Sequence, residues 1–323
     1  MTNSNNNRLV IASRGSKLAL RQSEIISDLV RAAHPGIEIE VRKVTTTGDR
    51  DARPFAEIGG KGLFTSEVER EIVEGRADVA VHSAKDLTAG LHEGCTLVCV
   101  PPRASVADVV VGSTGATGEE RLGRLADGAR VGTSSIRRRA LLAEARPDLE
   151  VVPFRGNLDT RLKKVAAGEV DAAILAHAGM QRLGGPETDA APLDPARWIP
   201  APAQGALAVE ALIERDDLAD LFVGLGDPAA AAEVACERAF SARLEGGCSI
   251  PLGCLARADS GHLVVTGYLG DPYGGQSMRD RISGSIDEPE ALGRELAEAI
   301  LSSGGDEILA DLLETEPPQP APP

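Results

Sequence analysis

The stretch 130–154, RVGTSSIRRRALLAEARPDLEVVPF, contains the pattern on which most of the chain is built. RVG has the pattern of a short strand, and the polar turn TSS opens a helix through ALLAEA. EVVPF follows as a second strand. A strand, a helix and a second strand in this order form a β-α-β unit, whose two strands lie parallel in one sheet. The stretch therefore predicts an α/β fold.

The same order of patterns occurs before and after this stretch. The strand patterns LVIA, IEIEVRKV, DVAVHS and TLVCV lie between residues 9 and 100, and DVVVG and DAAILA flank the later unit. Two runs of β-α-β units predict two doubly wound α/β domains, with ligand-binding loops at the carboxyl ends of their strands. Tandem lobes of this kind around a cleft also describe solute-binding proteins.

Two further features divide the chain into domains. The segment 199–211, IPAPAQGALAVEA, carries Pro200, Pro202 and Gly205 ahead of a strand, a pattern that suits a crossing back to the first lobe. From residue 228 a long helix, three strands and a final helix predict a small α+β domain. We expect the following parts: domain 1 over 8–103 and 206–224, domain 2 over 107–201, domain 3 over 228–314, and disordered tails over 1–7 and 315–323.

Composition and charge argue against several functions. The formal net charge of −15 disfavours a general nucleic-acid binder and binding to anionic membrane surfaces. No apolar run approaches the roughly 20 residues that span a bilayer. The N-terminal MTNSNNN lacks the basic and apolar regions of a signal peptide. We therefore expect a cytoplasmic protein that binds neither nucleic acid nor membrane. An acidic surface without an evident apolar patch favours a monomer.

The cysteines are sparse and odd in number, so no disulfide framework is expected: Cys95, Cys99, Cys236, Cys248 and Cys254. The first two lie in an apolar strand, and no second ligand pair with metal spacing follows. We interpret them as core residues and expect no metal site. Cys248 differs because EGGCSIPLG places it between a glycine pair and an apolar run. From this motif alone, a free surface thiol is the simplest interpretation.

Basic residues are concentrated between residues 130 and 164, where nine stand against four acidic ones. GTSSIRRR and FRGNLDTR both lie at strand-to-helix junctions, where free backbone N–H groups and the helix dipole favour anions. The junctions supply Arg137, Arg138, Arg155, Arg161, Ser134, Ser135 and Asn157. Because arginine binds such groups through paired N–H donors, we predict a carboxylate or phosphate site, and several carboxylates fit best. A solvated helix face is the alternative, which we adopt for Lys163 and Lys164.

The loop VHSAKDL, residues 81–87, follows a buried strand and presents four polar side chains together: His82, Ser83, Lys85 and Asp86. Lysine beside aspartate is usually a surface ion pair. At the crevice of a doubly wound fold, however, the aspartate can donate and accept a proton while the lysine contacts an anion. The histidine directly follows the apolar run, so we interpret it as structural. Three residues of neighbouring loops are expected at the same crevice: Arg14, Ser16 and Lys61.

Six motifs occur here in the order and spacing of one known family: HSAKDL, GGKGLF, GTSSIRR, FRGNLDTRL, PAPAQGALAVE and LEGGCSIPLG. On these motifs, residues 8–302 resemble hydroxymethylbilane synthase, also called porphobilinogen deaminase. The resemblance implies a transferase of tetrapyrrole (haem) biosynthesis, which joins four porphobilinogen molecules head to tail into hydroxymethylbilane and releases ammonia each time. It also implies a dipyrromethane cofactor, bound through a thioether, on which the product grows.

The resemblance assigns roles to Cys248 and Asp86. Cys248 matches the cysteine that carries the cofactor, and its glycine neighbours let the backbone present the sulfur toward the cleft. A thioether requires one accessible nucleophilic sulfur and no partner cysteine. Asp86 matches the catalytic aspartate. This group can protonate the departing amine, stabilise the cation that forms, and accept the proton lost after carbon–carbon bond formation.

The other matched positions imply a site for the acetate and propionate groups of the pyrroles. They are Arg14, Ser16, Lys61, Phe64, Lys85, Thr133, Ser134, Ser135, Arg137, Arg138, Arg155, Gly156, Asn157, Arg161, Arg182 and Gln204. Lys61 and Phe64 match the loop that covers the cleft. Three departures from the family pattern concern geometry. Glu57 stands where some members have lysine, Ala203 replaces a common glycine, and the loop after Asp86 is shortened and lacks a usual proline.

Two other functions are open at this point. A non-catalytic two-lobed anion-binding protein shares the lobes and the arginine cleft, but it has no use for Cys248 or Asp86 and predicts a secretion signal or a regulatory domain. An inactive relative of the synthase keeps the fold for another role. The synthase is the leading hypothesis because it uses both residues.

Overall fold

The computed structural model describes residues 8–50, 62, 65–88, 90–184, 190–245 and 250–314. Within these residues the strands are, in chain order, β1 Arg8–Arg14, β2 Glu38–Val44, β3 Val79–Ser83, β4 Cys95–Cys99, β5 Asp108–Val111, β6 Arg130–Gly132, β7 Glu150–Val152, β8 Ala172–Ala176, β9 Ala190–Pro192, β10 Leu207–Leu212, β11 Leu252–Asp259, β12 His262–Gly270 and β13 Ser277–Ser285. The helices are α1 Lys17–Ala33, α2 Thr47–Arg50, α3 Ser66–Val73, α4 Gly118–Gly123, α5 Ile136–Ala145, α6 Leu158–Ala166, α7 His177–Leu183, α8 Asp216–Phe222, α9 Pro228–Arg243, α10 Pro289–Ile300 and α11 Asp306–Glu314. A single 3₁₀ turn covers Ala84–Asp86, and Leu301–Gly305 joins the last two helices.

The first sheet has the strand order β2-β1-β3-β10-β4. Strand β1 runs parallel to β2 and β3, whereas β10 is antiparallel to β3 and β4. Helix α1 begins at Ser16, whose hydroxyl accepts a hydrogen bond from Ala19 N at 3.2 Å. The helix buries Ile26 and Val30 against the strands. Because β1 and β3 are parallel, their carboxyl ends meet at one edge of the sheet.

The second sheet, β7-β6-β8-β5-β9, has the same topology. Strand β6 runs parallel to β7 and β8, and β5 is antiparallel to β8 and β9. Two segments connect the lobes, the first crossing (101–107) and the second crossing (199–206). The antiparallel strand of each sheet directly follows a crossing: β5 follows the first crossing and β10 the second. Each crossing therefore runs directly into a strand of the lobe that it enters.

The C-terminal part is an antiparallel sheet, β11-β12-β13, with α9 and α10 packed against it. Asp227 caps α9 by accepting hydrogen bonds from Ala229 N and Ala230 N. Pro228 follows in the first turn, where a missing N–H leaves no bond unmade. This part and the two lobes confirm the predicted fold class, two α/β domains with a small α+β domain. The domain limits stay a prediction, and residues 1–7 and 315–323 lie outside the described residues.

Helix α9 connects the C-terminal part to both crossings. Arg103 of the first crossing donates to Glu237 Oε1 and Oε2 at 2.9 and 2.8 Å, and to Glu233 Oε2 at 3.0 Å. Glu237 Oε2 also accepts a hydrogen bond from Ala203 N of the second crossing at 2.5 Å. Arg103 Nε donates to Gln204 O at 3.0 Å. One buried ion pair thus fastens the two crossings to one helix.

Ala203 has a left-handed backbone, with a φ of 59°. A residue with a Cβ pays roughly 1–2 kcal/mol in this region, and glycine does not. Ala203 is 1% exposed and packs with other small residues, which offsets part of that cost: Ala84, Ala206 and Ala208. The replacement of the family's glycine by Ala203 therefore acts through the backbone.

Cys95 and Cys99 are 7% and 5% exposed, which confirms their predicted place in the core. Among the described residues, no helix combines the length and the apolar character needed to cross a bilayer. The same part of the chain contains no group of three or more His, Cys, Asp and Glu side chains placed to hold a metal ion.

Candidate active site

The predicted catalytic loop lies at the carboxyl end of β3. This strand is apolar and buried, and the chain then makes the 3₁₀ turn at Ala84–Asp86. Ala84 N donates to Ala206 O at 3.1 Å, which fastens the turn to the second crossing. Asp86 is half-buried. It lines a small cavity of about 50 Å³ with polar residues that include Arg14, Ser16, Gln22 and Ser83.

Two of the predicted binding residues line this cavity from the junction of β1 and α1. Arg14 is the last residue of β1, and Ser16 caps α1. Gln22 Nε2, further along α1, donates to Ser83 Oγ at 2.7 Å and holds the helix against the catalytic loop. The structure therefore brings Arg14 and Ser16 together with Asp86, as the sequence predicted for the two loops.

Lys85 lies beside Asp86 and points to the second crossing. Its Nζ donates to Gln204 Oε1 at 3.3 Å. The side chain as a whole is exposed, and the loss of water at its ammonium group lowers the pKa of Lys85 to about 8. The positive charges of Arg138 and Arg137 lower this pKa further, while Asp86 opposes the shift. The protonation of Lys85 therefore depends on the charges of these neighbouring side chains.

The polar turn before α5 is built by its own hydroxyl groups. Thr133 Oγ1 accepts a hydrogen bond from Ser135 N at 3.2 Å, and Ser135 Oγ accepts one from Arg138 N at 3.4 Å. Ser134 Oγ accepts one from Phe154 N at 2.9 Å, which ties this turn to the end of β7. Each predicted residue of the turn therefore has a place in shaping the helix start.

Arg137 and Arg138 lie beneath this turn, and their side chains are only 4% and 7% exposed. Arg137 Nη2 donates to Asp108 Oδ2 at 2.8 Å, and Arg138 Nη2 donates to Asp108 Oδ1 at 2.7 Å. The Nη1 atoms of the two arginines donate to Ile199 O and Ile174 O, each at 2.8 Å. These donors go to protein acceptors, and the contact of both arginines with ligand carboxylates stays a prediction.

Asp108 is the residue of this site that sequence reasoning missed. It is fully buried, and it also accepts hydrogen bonds from Trp198 Nε1 at 3.0 Å and Gln204 Nε2 at 2.9 Å. Burial by itself raises the pKa of this carboxyl, but Arg137 and Arg138 outweigh that effect and hold the pKa well below its usual range. The available signal was an acidic residue at the head of the apolar strand DVVV.

The second arginine junction lies between β7 and α6. Gly156 has a φ of 113°, and a Cβ there would lie 3.1 Å from Thr160 Cγ2, so the motif needs glycine at this turn. Asn157 precedes α6 without a side-chain cap, and Arg155 lies just before the turn. Arg161 Nε donates to Gly156 O at 2.8 Å, which turns this side chain back over the junction.

Arg161 of α6 is a second cation of the site whose surroundings lower its pKa. Burial lowers the pKa of its guanidinium to about 10, the charge of Arg138 adds to this shift, and the charge of Asp86 opposes it. Arg182 of α7 is similarly removed from water, which lowers its pKa to about 10, and its Nη2 donates to Gly205 O at 2.6 Å. Groups of both lobes therefore meet at one cleft near the second crossing.

His82 is buried beneath the catalytic loop. It is 5% exposed, and its Nε2 lies 3.0 Å from Oε2 of Glu210, which is fully buried. This placement agrees with the predicted structural role. Four further residues of the sequence analysis lie outside the described residues, so their roles stay predictions: Glu57, Lys61, Phe64 and Cys248.

The arrangement defines a class of protein. One carboxylate that can transfer a proton stands in a cleft lined by cations from two α/β lobes, which suits an enzyme acting on a ligand with several carboxylates. Comparison with known proteins then gives the particular family. The model described as porphobilinogen deaminase, dipyromethane cofactor binding domain, matches residues 9–220, and the porphobilinogen deaminase C-terminal domain matches 231–302. The chain belongs to the porphobilinogen deaminase family.

Curated relatives are similar over nearly their whole length. The porphobilinogen deaminase of Roseiflexus castenholzii is 46% identical over 305 residues, which cover 94% of this chain and 99% of that protein. The porphobilinogen deaminase of Bordetella parapertussis is 43% identical over 314 residues, which cover 96% and 98%. Among solved structures, the methionine binding protein MetQ covers 68% of this chain and 89% of its own with 12% identity. Its TM-score of 0.40 is too low to support a conclusion.

Proposed function

We propose that this chain is a hydroxymethylbilane synthase. It joins four porphobilinogen molecules head to tail into the linear tetrapyrrole hydroxymethylbilane and releases ammonia at each step, in tetrapyrrole biosynthesis. One observation carries the proposal: in a chain of this family, Asp86 lines a cavity with Arg14 and Ser16, and the adjacent Lys85 donates to Gln204 of the second crossing. We further propose a cytoplasmic monomer, in keeping with a net charge of −15.

The cleft residues fit a dipyrromethane cofactor, whose pyrroles carry acetate and propionate groups. Three cations of the cleft have lost part of their hydration: Lys85, Arg161 and Arg182. A carboxylate that pairs with such a cation replaces the interactions with water that the cation has lost. In this proposal, Cys248 holds the cofactor by a thioether, and Lys85 and Arg161 bind its carboxylates. When bound, the cofactor would supply the nucleophilic pyrrole carbon for the first addition, and each later unit would add to the terminal pyrrole of the growing chain.

Asp86 performs the proton transfers in this proposal. Its carboxyl group donates a proton to the amine of porphobilinogen as ammonia leaves, and the resulting carboxylate stabilises the positive charge left on the substrate. The same carboxylate then accepts the proton released after carbon–carbon bond formation. One residue acts first as acid and then as base, so each addition restores the starting state for the next.

Turnover of porphobilinogen by wild-type and Asp86→Asn protein tests this assignment. Asp86→Asn keeps the shape of the side chain but cannot give up a proton, so we expect a folded protein whose rate of ammonia release falls on the order of 10²–10⁴-fold. Asp127→Asn is the matched control, because the Asp127 side chain is 97% exposed, and it should keep the wild-type rate. Near-normal turnover by Asp86→Asn would contradict the role given to Asp86.

The same assay separates the synthase from a protein that only binds anions. A two-lobed binding protein would bind porphobilinogen and release no ammonia. Wild-type protein that binds porphobilinogen but forms neither ammonia nor a linear tetrapyrrole would therefore contradict the proposed function itself.

A further inference from the structure

Asp108 is a buried carboxylate with two hydrogen-bond donors on each oxygen. Arg137 Nη2 and Trp198 Nε1 donate to Oδ2 at 2.8 and 3.0 Å, and Arg138 Nη2 and Gln204 Nε2 donate to Oδ1 at 2.7 and 2.9 Å. All four partners are donors, so a proton on either oxygen would face an N–H group. The geometry therefore requires the ionised form.

The four donors come from segments that the cleft depends on. Arg137 and Arg138 begin α5, and Gln204 belongs to the second crossing. Gln204 Nε2 also donates to Val106 O at 2.8 Å, so the NH₂ group of the amide faces Val106 and Asp108. Its Oε1 is thereby turned toward the catalytic loop, where it accepts from Lys85 Nζ at 3.3 Å. A chain of two hydrogen bonds connects Asp108 to Lys85.

Asp108 also balances charge around Lys85. The charged groups that act on this lysine are Asp86 on its own turn, Arg138 and Arg137 on α5, and Asp108 on β5. The two arginines oppose the proton on Lys85, and the two carboxylates favour it. Without the charge of Asp108, the two buried guanidinium groups would lose their carboxylate partner, and of these groups only Asp86 would still favour the proton on Lys85.

We propose that Asp108 is a positioning residue for the reaction, which holds the arginine pair and, through the Gln204 amide, keeps Lys85 oriented and protonated in the cleft. The inference rests on the proposed function, because that function gives Lys85 the task of binding pyrrole carboxylates. Asp108 itself is fully buried and acts only through its partners.

The test measures kcat and KM for porphobilinogen between about pH 6 and pH 10. Asp108→Asn preserves the size of the side chain, removes its charge and sets an amide N–H against a donor. We expect the alkaline limb of kcat/KM to move to lower pH by roughly one unit, a tenfold change in the protonation equilibrium, with most of the loss in KM. Trp198→Phe is the control, because it removes one donor from the same carboxylate and keeps the charge; its alkaline limb should stay in place.

A second variant tests the same connection to Lys85 if Asp108→Asn gives no folded protein. Gln204→Leu breaks the connection to Lys85 and leaves the carboxylate and both arginines intact. It should raise KM and move the alkaline limb in the same direction by a smaller amount. An alkaline limb that stays at the wild-type position in a folded Asp108→Asn or Gln204→Leu protein would overturn the inference, because a purely structural role changes the yield of folded protein and leaves the pH profile unchanged. Lack of turnover in the wild type would instead count against the proposed function.

Discussion

Lys85 is the residue whose ionisation the cleft changes in the most consequential way. Its pKa falls from an ordinary value of 10.5 to about 8, chiefly because protein replaces water around it. Since the folded pKa is the lower one, the folded protein binds fewer protons than the unfolded chain between about pH 8 and 10.5. Stability therefore gains from this group as pH rises through that window. Binding of a carboxylate has the opposite trend, because it needs the ammonium form and weakens as pH rises through about 8.

Replacing Lys85 by arginine tests whether this ionisation limits the reaction. A guanidinium keeps its charge throughout the accessible range, so Lys85→Arg should move the alkaline limb of kcat/KM upward by more than roughly one unit. Lys85→Met should lower kcat/KM about tenfold or more at every pH, since a charged hydrogen bond is lost. Lys163→Arg, on the exposed face of α6, is the control and should match the wild type. A limb that stays near pH 8 in Lys85→Arg would assign it to another group.

Among individual residues, the sequence predicted the polar residues that line the cleft better than the buried residue that holds the arginine pair in place. Asp86, Lys85 and Arg14 were placed correctly at strand ends because such loops collect at one edge of an α/β sheet. Arg137 and Arg138 look the same in sequence whether they face a ligand or a buried carboxylate. Asp108 lies about thirty positions before them in the chain, and only the folded sheet brings these residues together.

Helix α9 shows what an element contributes beyond its own packing. The sequence predicted a long helix after residue 228 and a proline-rich crossing before it. It did not predict that Glu237 would bind Arg103, which lies 134 positions away, or accept from the backbone of the second crossing. In the sequence alone, a glutamate that is buried in a helix cannot be distinguished from one that faces solvent. The C-terminal part therefore stabilises both crossings between the lobes.

Glu237→Gln tests this connection through stability. The variant leaves Arg103 buried with fewer negative charges and removes one of the oxygens that bind it, so the free energy of unfolding should fall by about 3 kcal/mol. Urea titration followed by circular dichroism measures the loss. Glu298→Gln is the control, because Glu298 forms an exposed pair with Arg243, and it should cost less than about 0.5 kcal/mol. Equal losses in the two variants would show that the buried pair fastens nothing.

Across the whole molecule, periodicity predicted the classes of the three parts but not how the strands are ordered. The hydrophobic pattern of a strand shows which face is buried but not which strands pair with it. The antiparallel pairing of β5 and β10 with their neighbours could therefore not be predicted. That placement makes each crossing continuous with a strand of the sheet it enters. The cleft consequently lies where both crossings, the catalytic turn and α5 meet. The motif resemblance supplied the chemistry that this geometry now accommodates.

Intact-protein mass spectrometry of freshly purified, active protein tests the central claim most directly. The account predicts a mass above that of the translated chain by two deaminated pyrrole units, bound to Cys248. Cys248→Ala should return the plain mass and lose activity. Cys95→Ala, which changes a buried cysteine of the first lobe, should keep the added mass. Fully active wild-type protein with the plain mass of its sequence would contradict the account.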